Sequence, residues 1–219
     1  MSRFRPAVVA TAVVCSLVAL AIPALAQAHE YKVEGKPLTG SVSVQKSFHT
    51  SVWIKGTPYG VSVEIRCDEG TLSGTLASGG TSTLSVALKS CVVEHKEKPM
   101  GCAVKEPFEL THAMPATLIG TSVLQQELNP AGSEWNAIVL EGAGCALQGY
   151  PIYMSGTQIC EFELPAIEHE QENQTLVCET SGSTHMRWAG KMMTLEGVIP
   201  YIHLVNGKGE PTKQKWSAQ

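Results

Sequence analysis

Aspartate is almost missing from this chain: Asp68 is the only one in 219 residues. A Ser-His-Asp triad would have to use that carboxylate or a glutamate, and no Gly-x-Ser-x-Gly elbow supplies the serine. Calcium loops need several Asp or Asn side chains at alternating spacing, which the chain lacks. Arginine is also scarce. Beyond Arg3 and Arg5 there are only Arg66 and Arg187, and the lysines are dispersed. A nucleic-acid surface needs a clustered basic face, so that class is set aside. No pair of cysteines has Cys-x-x-Cys spacing, which argues against a zinc knuckle. No long stretch carries helical spacing, and past the amino-terminal segment no apolar run is long enough to cross a membrane as a helix.

The amino-terminal segment has the three parts of an export signal. Arg3 and Arg5 form a basic start, Ala7 to Ile22 is an apolar run ended by Pro23, and small residues offer cleavage after Ala26 or Ala28. Residues 1–28 are therefore read as a signal peptide, and 29–219 as a single secreted domain. Cys15 lies in the middle of the apolar run, not at its end, so it is not a lipidation site. Loss of Arg3 and Arg5 takes the net charge from −4 to −6.

Six cysteines remain: Cys67, Cys91, Cys102, Cys145, Cys160 and Cys178. An even number in an oxidising compartment predicts three disulfides. Short loops favour Cys91 with Cys102 and Cys145 with Cys160, leaving Cys67 for Cys178. A second pairing competes, because Cys67 and Cys91 bracket a hairpin and can bridge its base.

The dominant period is two. "VSVEIRC" places Val61, Val63, Ile65 and Cys67 on one face. "TLSVALKS" does the same for Leu84, Val86 and Leu88, and "ICEFEL" sets Cys160, Phe162 and Leu164 against Glu161 and Glu163. Turn chemistry separates these runs, as in "KGTPYG", "LASGGTS", "LNPAGSE" and "NGKGEP". The fold class is all-β: an antiparallel β-sandwich or a closed barrel-like arrangement, stapled by disulfides. The uncharged stretch "TLSGTLASGGTSTLSVAL", residues 71–88, is not a phosphate loop. Gly79-Gly80 leads into an alternating strand and not into Lys-Ser or Lys-Thr and a helix. It reads as a hairpin. Thr-Leu-x-Gly recurs at 71, 117 and 194, which raises two similar halves with a boundary near 113–130.

Few residues suggest chemistry. If cleavage follows Ala28, His29 becomes the amino terminus and could chelate copper through its amine and ring, with His112 as partner. Secreted copper monooxygenases that act on polysaccharides begin this way. The glutamates could instead supply a hydrolase pair, although Glu161 and Glu163 read as the solvent side of a strand. Glu168, His169, Glu170 and Glu172 lack the His-Glu-x-x-His spacing and read as an exposed loop. "NQT" at Asn173 fits a glycosylation acceptor. Four tryptophans (Trp53, Trp135, Trp188, Trp216) and four tyrosines (Tyr59, Tyr150, Tyr153, Tyr201) could line a sugar-binding face, or serve the core.

"CDEGTLSGTLASGGTSTLSVALKSCVV", "MPATLIGTS", "VLEGAGCALQGYPIYMSGTQIC" and "TSGSTHMRWAGKMMTLEGV" resemble a large group of uncharacterised secreted proteins from soil actinobacteria. The resemblance spans most of residues 60–200. It implies an extracellular β-rich fold and carries no activity and no site residues. The expectation is a secreted, non-enzymatic β-sandwich that binds a glycan or a cell-surface protein, or serves as a structural module. No cofactor is expected, nor a nucleic-acid partner. The alternative is a polysaccharide-active enzyme, with copper at His29 or a pair of glutamates.

Overall fold

The computed structural model describes residues 29–95, 98–106, 108–120, 124–129, 135–163, 170–179 and 185–219. The expected signal peptide, Cys15, Leu164, Glu168 and His169 lie outside them, as does most of the turn at 128–134.

The described residues hold strands and two 3₁₀ turns, at Pro58–Gly60 and Ser78–Gly80, and no α-helix. The strands are β1 (Tyr31–Val33), β2 (Lys36–Pro37), β3 (Ser41–Phe48), β4 (Val52–Gly56), β5 (Val63–Ala77), β6 (Thr81–His95), β7 (Lys98–Pro99), β8 (Ala103–Val104) and β9 (Phe108–Ile119). They continue with β10 (Gln125–Leu128), β11 (Ile138–Glu141), β12 (Pro151–Ile152), β13 (Met154–Ser155), β14 (Gln158–Phe162), β15 (Asn173–Cys178), β16 (Arg187–Trp188), β17 (Lys191–Val205) and β18 (Trp216–Ala218).

The hydrogen-bonded order closes on itself. β5 pairs with β6, β6 with β9, β9 with β10, β10 with β14, β14 with β15 and β15 with β17, every pair antiparallel. β17 then returns to β3 and β4, which both pair with β5. β3 and β4 are successive parts of one wall strand, broken at residues 49–51. The result is an eight-position up-and-down barrel, not a sandwich. The deciding contact joins Ser43–Gln45 to His203–Val205. Closure removes the free edges that a sandwich would leave on its outer strands.

Alternation builds this wall. Val63, Ile65, Cys67 and Leu72 point inward from β5, and Ser82, Leu84, Val86 and Leu88 from β6. Leu176 and Cys178 do so from β15, as do Met193, Leu195 and Ile199 from β17. Lys55, Glu64, Ser73, Thr75, Thr83 and Ser85 face outward. Apolar-in and polar-out is the reverse of a membrane-spanning barrel, whose outer band is apolar. Among the described residues no helix is long and apolar enough to cross a membrane.

The hairpin expected at 71–88 is present, with Leu72 opposite Val86 and Gly74 opposite Leu84. Gly74 must be glycine: a Cβ there would lie 2.1 Å from the Thr83 carbonyl oxygen. The Thr-Leu-x-Gly copies fall in β5, β9 and at the β17 midpoint, each with its leucine buried (Leu72, Leu118, Leu195). The stretch 113–130 includes the end of β9 and all of β10, which pair with each other.

Three disulfides form: Cys67–Cys91, Cys102–Cys145 and Cys160–Cys178. The hairpin pairing is the one found, and Cys91–Cys102, Cys145–Cys160 and Cys67–Cys178 are not. Register explains why. Cys67 lies directly opposite Cys91 and Cys160 directly opposite Cys178, with Cα atoms 4.0 and 4.2 Å apart. Facing residues on paired strands come closer than residues flanking a loop of uncertain path.

Candidate functional site

An eight-stranded barrel is just wide enough for its own side chains to fill, or for one small ligand. Here the side chains fill it. Val52, Leu72, Leu84, Leu110, Leu176 and Leu195 converge from six strands around an apolar cavity of only about 30 Å³. That is the space of about two or three water molecules.

Among the described residues, short strands cover each end. At one end β1 pairs with β18, so the two ends of the described chain form a lid. Tyr31 enters from it fully buried. Its hydroxyl accepts from Gln126 Nε2 at 3.0 Å and donates to Ser82 Oγ at 3.4 Å. Burial holds the Tyr31 phenol above its usual range, and the Ser82 hydrogen bond only partly offsets this. Trp216 packs beside Tyr31 and edge-on to Phe162, and its carbonyl accepts from Gln174 Nε2 at 2.5 Å. The lead-in to β1 lies on the β5–β6 turn. A Cβ on Gly80 would come within 2.4 Å of the His29 carbonyl oxygen, and Gly80 itself has φ +69°.

At the other end Trp135 reaches the cavity and donates from Nε1 to the Gly156 carbonyl at 2.9 Å. Behind it the small sheet β12–β11–β8 buries Ile138, Leu140 and Ile152, and β13 with β16 buries Met154 and Trp188. Cys102–Cys145 ties this cap to the segment that follows β7.

The expected aromatic face therefore divides. Trp135, Trp188 and Trp216 are core residues. Trp53 lies half-buried on the outer wall, with Lys55 Nζ at 4.7 Å and Arg66 Cζ at 5.5 Å from its ring centroid. The tyrosines are outside: Tyr59, Tyr150 and Tyr153 are 59%, 63% and 51% exposed. Tyr59 Oη donates to the Pro151 carbonyl at 3.3 Å, which brings it to the segment that carries Tyr150 and Tyr153. Tyr59 sits at φ 51° inside the Pro58–Gly60 turn. A bulky residue in that region costs about 1–3 kcal/mol. Tyr201 is exposed as well, but the Lys46 ammonium lies 5.4 Å from its ring centroid, and it stands on β17 toward the lid end.

The copper candidates are not brought together. The His29 carbonyl rests near Gly80 beside Leu118, while His112 lies six residues earlier on β9, roughly 20 Å of strand away. His112 Nδ1 instead faces Glu109 at 3.6 Å. Among the described residues no group of three or more His, Cys, Asp or Glu is placed to hold a metal ion. Glu106 and Glu109 line an open groove of about 400 Å³ with Lys105 and Asn136, whose amide donates to the Glu109 carbonyl at 2.9 Å. Glu161 lies on the solvent side of β14 beside Gln125, as its alternation predicts. Glu170 accepts from the Gly35 amide at 2.7 Å. Asn173 begins β15. Sequence reasoning missed Pro151 and Met192, the latter 59% exposed and opposite Arg187 on β16.

No family model, no curated protein and no solved structure matches the chain.

Proposed function

We propose that the protein is a secreted, non-enzymatic binding module that engages its ligand on the outer surface of the barrel. The observation that carries this reading is the closure of the molecule. Among the described residues apolar side chains crowd the lumen around a cavity of about 30 Å³, strands cover both ends, and three tyrosines stand outside at the cap end. Three disulfides suit an oxidising compartment.

Two measurements test this reading. Intact mass of protein recovered from the medium should correspond to a chain beginning at Gln27 or His29. A glycan array paired with a reducing-end assay should show retention without cleavage. Release of new reducing ends, abolished by Glu106→Gln or Glu109→Gln, would favour the hydrolase alternative.

A further inference from the structure

We infer that the tyrosine cluster around Pro151 is a docking platform for a neutral polysaccharide chain, with Tyr59, Tyr150 and Tyr153 as the stacking residues. This rests on the binding-module reading above and names its ligand class.

The first support is conformational. The Pro58–Gly60 turn holds Tyr59 in the left-handed region and presents it to solvent. A large aromatic residue rarely adopts that backbone, and here it gains little burial in return. Strain of this kind is found at ligand sites, and among the described residues Tyr59 shares it with six other non-glycine residues, Tyr201 among them. The tyrosine hydroxyl is bonded to the Pro151 carbonyl, so the turn is fixed against the segment it faces.

The second support is placement. Tyr150 and Tyr153 flank Pro151 and span at most about 10 Å of extended chain. Ala189 donates its amide to the Tyr153 carbonyl at 2.9 Å, which anchors this segment to the turn between β16 and β17. The rings therefore sit on hydrogen-bonded backbone and not on a free loop.

Size and charge select the occupant. The exposed parts of the three side chains amount to about 300–400 Å². A stable protein partner needs about 800 Å² from each side. A sugar chain needs less, because one ring face covers one pyranose and the phenol hydroxyls can bond the sugar hydroxyls at the rim. The cluster contains no carboxylate. The neighbouring Arg187 uses Nη1 on the Gly190 carbonyl at 3.2 Å, and the net charge, −4 for the whole chain and −6 once residues 1–28 are removed, opposes a polyanion. Tyr201 lies outside the platform, with Lys46 beside its ring.

The test is calorimetric titration of the disulfide-bonded protein with cellohexaose and with chitohexaose, using an alginate hexamer as the charged control. The wild type is expected to bind at least one neutral hexasaccharide and not alginate. The triple variant Tyr59→Ala/Tyr150→Ala/Tyr153→Ala should lose at least tenfold in affinity while melting no lower than the wild type. The Tyr150→Phe/Tyr153→Phe variant keeps all three rings and the Tyr59–Pro151 hydrogen bond and should retain most of the binding. Equal binding by the wild type and the alanine variant would overturn the tyrosine assignment but leave the binding-module reading intact. Binding of neither neutral hexasaccharide would overturn the ligand class. Cleavage of either sugar would overturn the broader reading itself.

Discussion

Tyr31 shows how single residues close the barrel. Its ring enters from β1, and its hydroxyl completes a buried polar group with Ser82 and Gln126. Tyr31→Phe removes that hydroxyl but keeps the packing, so it should cost about 1–2 kcal/mol in chemical denaturation. Because burial raises the folded-state phenol above its ordinary value of about 10, the neutral form is favoured in the folded chain. The corresponding stability is complete below about pH 10 and is lost as the pH rises beyond it. Melting curves between pH 8 and 11.5 should show the wild type losing more stability than Tyr31→Phe above pH 10. Parallel curves would exclude Tyr31 as the cause. Trp216 gives a second contrast. Its buried indole Nε1 finds no acceptor among the described residues. Trp216→Phe should therefore cost much less than Trp216→Ala, for which about 3–5 kcal/mol is expected. At Gly74 the obstacle is backbone: Gly74→Ala should lower stability by about 1–3 kcal/mol, since the Thr83 carbonyl cannot move without breaking the hairpin.

At the scale of elements, the hairpin of β5 and β6 was legible because both arms alternate and Gly79-Gly80 turns between them. The faces of β14 were legible for the same reason. Of the disulfides, Cys67–Cys91 was legible as the bridge at the base of the β5–β6 hairpin, while short loops misdirected the other four cysteines. The lid and cap strands were illegible for a simpler reason: β1, β8, β12, β13, β16 and β18 have two or three residues each, too few to show a period. Non-reducing peptide mapping should recover Cys67–Cys91, Cys102–Cys145 and Cys160–Cys178. The bridges should also differ in worth. Chain-entropy reasoning gives about 4 kcal/mol for the 43-residue separation of Cys102–Cys145 and about 3 kcal/mol for each of the others. The paired Cys102→Ser/Cys145→Ser variant should thus lose the most stability. Hydrogen exchange should rise first in the cap, at Ile138–Glu141, and not in β5 or β6.

For the whole molecule, the sequence carries the class of the fold but not its closure. The contact between Ser43–Gln45 and His203–Val205 joins segments about 160 residues apart, and no local pattern records it. The same holds for the candidate site. Tyr59 and Tyr153 were visible as aromatics, yet so were Trp135, Trp188 and Trp216, which folding removes to the core. Only the three-dimensional sorting of rings into inside and outside singles out the Pro151 cluster. In the proposed reading the barrel wall supplies stability and the cap end supplies recognition.

That division is tested most directly by mapping where a bound sugar perturbs the protein. In a ¹⁵N-resolved NMR titration with cellohexaose or chitohexaose, the largest shifts should fall on Tyr59, Gly60, Tyr150, Ile152 and Tyr153. Leu72, Leu84 and Leu195 in the lumen should stay unmoved. Shifts centred on those lumen residues, or on the groove of Glu106 and Glu109, would contradict it.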